Sequence, residues 1–223
     1  MKWILGFIFL LVVLQIGALV YLVIQKNKRA KQEENRLTWQ LNFRDELYDF
    51  ATGEQQDMPK IVSGNEDLVE LELFAFTNLT ATVSHQERIY QFVEAKLLPY
   101  YHKQIRHRRI DRRLNAYEAI AQFHLKPVAT ELHQKLHKSL SQEEEDVIIR
   151  TLVSIAPELA IEEAKLKSHI SFFGAVLAVG RSKDLTLWIQ AFENLTEPFQ
   201  MAILQLIYDR DETQYTELVR TKT

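Results

Sequence analysis

His133 and His137, in the stretch HQKLH, stand four residues apart, a spacing that puts two imidazoles on one face of a helix, within reach of one metal ion. A zinc-protease motif needs a glutamate directly after the first histidine as general base, and Gln134 stands there instead. His124 and His169 are further histidines that folding could bring near the pair. Without the glutamate, the expected role of both is a solvent-facing or helix-capping one. No metal ligand, cofactor or catalytic residue is expected, and a metal-dependent hydrolase is the remotest reading.

The densest positive charge is HKQIRHRRIDRR, residues 102–113. Written as one helix, it aligns His102, Arg106, Arg109 and Arg113 in a stripe flanked by Arg108 and Arg112. The plain expectation is a solvated face paired with surplus acids, each exposed pair contributing ~0–1 kcal/mol. The functional alternative is docking onto anionic headgroups or an acidic partner. A second basic cluster, Lys26, Lys28, Arg29 and Lys31, follows directly on hydrocarbon in LVIQKNKRAKQ. These eight residues are the candidates for partner or lipid contact. Nucleic acid is not expected: five of the 27 cations precede residue 32, leaving 22 against 30 acids, a formal −8, and no recognised nucleic-acid motif accompanies the stripe.

Further exclusions follow from composition. The chain has no cysteine, so disulfides, thiol catalysis and cysteine-based zinc sites are ruled out. There is no glycine-rich phosphate loop and no Gly-x-Ser-x-Gly elbow, and Gly174 and Gly180 are isolated. Nothing here predicts an enzyme.

The elements that must position these residues begin with a hydrophobic run. Residues 3–24 hold sixteen Leu, Ile, Val or Phe, with Gln15 the one strongly polar side chain, long enough for a helix to cross ~30 Å of hydrocarbon. Val20 to Ile24 extend the run past Ala18, which favours a retained anchor over a cleaved signal peptide. One cation, Lys2, precedes the run and four follow it closely, so the C-terminal side is expected to be cytoplasmic. The expected organisation is a transmembrane anchor at 1–25, a basic stalk helix and hinge loop at 26–62, and a helical domain at 63–223. Gly53, Pro59 and Gly64 punctuate the hinge.

Within the body, Ser63 with Glu66, Ser84 with Glu87, and Ser141 with Glu144 match capping boxes, and Thr196 before Glu197 and Pro198 reads as a helix N-cap. The acidic run at 143–146 then belongs to a first turn. Apolar residues recur at helical spacing: Ile89, Phe92, Val93 and Leu97; Ile110, Leu114, Tyr117 and Ala121; Val128, Leu132 and Leu136; Ile148, Leu152 and Ile155; Leu185, Trp188, Phe192 and Leu195; Phe199, Ala202, Ile203 and Leu206; Tyr215 with Leu218 or Val219. DLVELELFAF, residues 67–76, alternates like a strand, but lacks a partner strand and is expected to be helical. Trp188 and Phe192 are expected in the core. The fold class is therefore all-α.

A weak self-similarity joins AIAQFHLKPVATELHQKL, TLVSIAPELAIEEAKLKS, AVLAVGRSKDLTLWIQAF and AILQLIYDRDETQYTEL, anchored on Phe123, Ile155, Val179 and Ile207. Each unit is an apolar helix, a tight turn and a second helix. Through these units, and most closely LWIQAFENLTEPFQMAILQLI, the chain from about residue 105 resembles the HEAT-like repeat family of α-solenoids in its short bacterial-type variant. The resemblance implies a protein-binding scaffold with no catalytic residues of its own. The leading expectation is thus a membrane-anchored cytoplasmic adaptor that binds protein partners. The alternative is a regulatory subunit of a membrane enzyme such as an envelope-polymer glycosyltransferase.

Overall fold

The computed structural model describes residues 2–79, 82–138, 140–182 and 185–210, and the side chains of all of these except 2–14, 16, 32, 78 and 79. Among them every regular element is helical, as the spacing predicts. The chain divides into two compact units, residues 1–86 and 87–223.

The first unit opens with α1, Lys2–Thr52, a single unbroken helix of 51 residues. Good helix formers without Gly or Pro from Gln25 to Thr52 let it continue through the basic cluster. Among the described residues no helix is long and apolar enough to cross a membrane. The span expected at 3–24 rests on side chains at 3–14 and 16, which lie outside the described residues. The helix ends at Gly53, whose φ of 89° is the left-handed conformation that glycine adopts without a Cβ penalty. A loop then leads to Gly64, φ 92°, and to α2, Glu66–Leu79. Phe43, Leu47, Phe50 and Ala51 of α1 are buried, as are Leu68, Val69 and Leu73 of α2, which packs against it. Glu72 is buried too, and its carboxylate accepts two bonds from Arg44, at 2.8 and 3.1 Å, and one from Gln40. Those bonds, Arg44's foremost, hold the Glu72 carboxyl below the usual carboxylate range. The strand alternative for 67–76 is thereby removed. α2 groups with α1, not with the helices that follow.

Two expected capping boxes differ in detail. α2 starts three residues after Ser63, and Glu66 accepts instead from the amide of Gly64, 2.8 Å away, because the left-handed turn at Gly64 intervenes. Ser84 lies inside α3, Val83–Gln104, with Thr82 immediately before the first turn and its carbonyl accepting from Gln86.

The second unit contains most of α3 and, among the described residues, seven further α-helices. These are α4, Ile110–Gln122, with α5, Ala129–Leu136; α6, Gln142–Ile155, with α7, Pro157–Ala164; α8, Phe172–Gly180, with α9, Thr186–Ala191; and α10, Glu197–Asp209. The first helices pack in succession, α4 on α6, α6 on α8, α8 on α10, while α7 meets α9. That order is consistent with a helical-repeat fold, in which successive units bury their apolar faces on their neighbours. The four repeat anchors, Phe123, Ile155, Val179 and Ile207, are all buried.

Helix α6 occupies the centre and contacts α4, α5, α7 and α8. Val147, Ile148, Ile149, Leu152, Val153 and Ile155 are buried around most of its girth, and the buried Thr151 hydroxyl is shared between the carbonyls of Val147 and Tyr117. Ser141 supplies the hydroxyl half of the expected capping box, accepting from the Glu144 amide, while the Glu144 carboxylate turns to Arg113 and Tyr117 instead of back to the cap; Glu143 to Glu145 fill the first turn. Thr196 is the N-cap of α10, but its hydroxyl donates to the Ala164 carbonyl at the end of α7, 2.9 Å away, and so ties two helices together. The periodicity at 185–195 predicts one helix; the structure divides it into α9 and a 3-10 turn at Phe192–Asn194. Trp188 is fully buried and stacked on Phe199, and Phe192 is buried, so neither is a surface anchor. Tyr215, Leu218 and Val219 lie outside the described residues.

Candidate functional site

The basic stripe is not one helix. α3 ends at Gln104, Ile105 to Arg109 form the turn, and α4 begins at Ile110, so His102 and Arg113 belong to different helices. The break is held by cations that satisfy carbonyls left orphaned in the turn. Lys135 donates to Ile105, at 2.9 Å, and Arg113 to His107 and Arg108, at 2.9 and 3.2 Å. Each stripe residue also meets an acid of its own unit. His102 and Arg106 share Glu131, at 2.7 and 2.6 Å; Arg109 pairs with Asp111 at 2.7 Å; Arg113 pairs with Glu144 at 2.6 Å. Arg106 and Arg109 keep their side chains largely exposed, whereas Arg113 reaches inward. Lys26, Lys28, Arg29 and Lys31 are all exposed on α1.

The inward end of the stripe meets a buried carboxylate. Glu144 is buried and accepts from Arg113 through both oxygens, at 2.7 and 2.6 Å, and from the Tyr117 hydroxyl at 2.7 Å, with Lys135 at 3.4 Å. Burial pushes its carboxyl up, but the bonds from Arg113 and Tyr117 and the charge of Lys135 outweigh that and hold it down to about 2. Burial and the adjacent carboxylate push the Tyr117 phenol well up, and burial pulls the Lys135 amine down. Such saturated pairing describes a structural clasp between α4 and α6.

His133 and His137 follow a different logic. They sit one turn apart at the end of α5, rings 5.2 Å apart, while Leu132 and Leu136 hold the helix to the core. Both aim Nε2 at the same oxygen, Glu163 Oε1 of α7, at 2.9 and 3.6 Å. Glu163 is 1% exposed, between Ala160 and Ala164 on the inward face of α7. Despite the 2.9 Å approach, neither of its oxygens makes a hydrogen bond, since the ring nitrogen lies off the required line. The three ligand atoms fall within 4.8 Å of one another, so this trio could hold a metal ion.

No family model, curated protein or solved structure matches this chain.

Neither His124 nor His169 joins the trio. His124, in a left-handed turn after α4, directs Nδ1 to the Ser154 carbonyl, and His169 meets Glu145 at 2.6 Å. Glu163 is the member that spacing from His133 does not reveal, being on another helix. Its visible signal is a carboxylate three residues after Ala160 and one before Ala164, where α7 must be buried.

Proposed function

We propose that this chain is a single-pass membrane protein whose helical-repeat body, of HEAT-like type, is a cytoplasmic scaffold for partner proteins. The observation that carries the reading is on α1. Leu19, Val20, Tyr21, Leu22, Val23 and Ile24 are each more than half exposed, and at ~100° per residue six successive positions face every direction around the axis. A helix that is apolar on all sides and unpartnered suits hydrocarbon, not water. Lys26, Lys28, Arg29 and Lys31 follow within two turns and likewise encircle the helix. A ring of cations beneath an apolar girdle fits a headgroup boundary better than it fits a one-sided docking patch. The scaffold assignment rests on the stacking order of α4 to α10, because paired helices that bury themselves on their neighbours present an extended surface on which proteins lie.

The test is fractionation of cells expressing the full chain, followed by photocrosslinking from surface positions of α5 and α8. The expected result is a membrane pellet resistant to alkaline carbonate, release on deletion of residues 2–24, and crosslinks to a defined protein from one face. Carbonate-soluble full-length protein would remove the anchor; crosslinks to lipid alone would remove the scaffold.

A further inference from the structure

We propose that His133, His137 and Glu163 form a binding site for a divalent zinc-class metal ion that staples α5 to α7. The decisive comparison is among buried carboxylates. Four glutamates are buried among the described residues: Glu72, Glu144, Glu145 and Glu163. Glu72 is bonded by Arg44 and Gln40, Glu144 by Arg113 and Tyr117, and Glu145 by His169 with Lys167 at 3.5 Å. Each of these three has a hydrogen bond and a lysine or arginine charge. Glu163 has no hydrogen bond on either oxygen, and the groups paired with it are two imidazoles. A buried carboxylate left in that state is costly, and a cation held by all three groups removes the cost.

The separations from the two imidazoles to the carboxylate suit that cation, and the two imidazole atoms lie within 4.8 Å of each other. Zinc bonds of ~2.0–2.1 Å in a tetrahedral arrangement put ligand atoms about 3.3 Å apart. The two imidazole-to-carboxylate separations, 2.9 and 3.6 Å, lie on either side of that value. An ion bound by both atoms lies off the line that joins them, which accounts for a close approach without hydrogen-bond alignment. Two imidazole nitrogens and one carboxylate oxygen suit zinc and its transition-metal neighbours; magnesium and calcium prefer oxygen alone. Three protein ligands leave a fourth position for water, and the His137 side chain, 57% exposed, provides the route from solvent. The staple would join α5 directly to α7, both of which also pack on α6. This inference is independent of whether the chain is anchored in a membrane.

The experiment uses the full chain in detergent, purified with a histidine-free tag, stripped with a chelator and titrated with Zn2+, with Co2+ as the optical probe. One equivalent of Zn2+ should bind and raise the melting temperature, and Co2+ should give the intense visible bands of a tetrahedral site. His137→Ala changes a half-exposed residue, so its fold should persist by circular dichroism. It and His133→Ala should each weaken binding at least as much as the ~10–100-fold lost when an outer partner of a metal ligand is removed. Glu163→Gln should do the same. If the parent chain takes up no stoichiometric metal, or folded His137→Ala binds Zn2+ as tightly as the parent, the proposal is overturned and the trio is an ordinary imidazole–carboxylate pair.

Discussion

A single carboxylate, Glu144, ties α6 to α4 through Arg113 and Tyr117, and its chemistry fixes a pH signature. Its folded value of about 2 lies below the ordinary 4.5, so its stabilisation is fully present above pH 4.5 and is lost as pH falls from 4.5 towards 2. A displacement of that size corresponds to roughly 3 kcal/mol. Glu144→Gln leaves Arg113 without its anion in a site where that side chain is only 18% exposed, and should cost about 3 kcal/mol at neutral pH by urea denaturation. The gap between the two proteins should close on acidification and be nearly gone at pH 2; a gap independent of pH would assign the loss to packing. The sequence makes Glu144 legible as a first-turn acid three residues after Ser141, which it is. It does not reveal that the side chain turns away from the cap to meet Arg113 and Tyr117, thirty-one and twenty-seven residues earlier. Contacts between helices leave no local periodicity to read, and Glu163 escapes for the same reason.

At the level of elements, the 3.6-residue pattern locates the helices because each has one face it must bury. Ile89, Phe92, Val93 and Leu97 and the sets through Leu206 are buried almost without exception, Ile110 at the exposed start of α4 being one departure. Boundaries are less legible. The sequence from His102 to Arg113 contains no glycine or proline, yet the helix stops there, because Lys135 and Arg113 supply the donors that satisfy a turn. Lys135 comes from thirty residues further on and cannot be seen locally, and Arg113 serves the turn from the helix that follows it. The central place of α6 gives an expected outcome. Leu152→Ala should cost ~2–5 kcal/mol and accelerate hydrogen exchange in α4, α5, α7 and α8 while leaving α2 amides unchanged. Ser141→Ala, which removes only the cap, should cost about 1 kcal/mol. Exchange that rises in α6 alone would show that these helices do not open together.

For the whole molecule, charge order along α1 is the feature to test. Replacing Lys26, Lys28, Arg29 and Lys31 by glutamate leaves Lys2 before the run and Arg36 as the nearest cation after it, and under the proposed topology a reporter fused to the C-terminus should then lose its cytoplasmic signal. An unchanged signal would mean that those residues do not set orientation. The stalk helix, its charge order and the hinge glycines are readable from the local sequence, since each depends on neighbours in the chain. From Gln25 to Thr52 the rod rises about 42 Å before Gly53 allows the first bend. Under the proposed anchor, which would fix the N-terminal end in lipid, the altitude of that bend is set by counting residues, much as a mast sets the height of its lamp. A loss of seven would lower it by roughly 10 Å and turn it by only about 20°, so stand-off distance and heading can evolve almost separately.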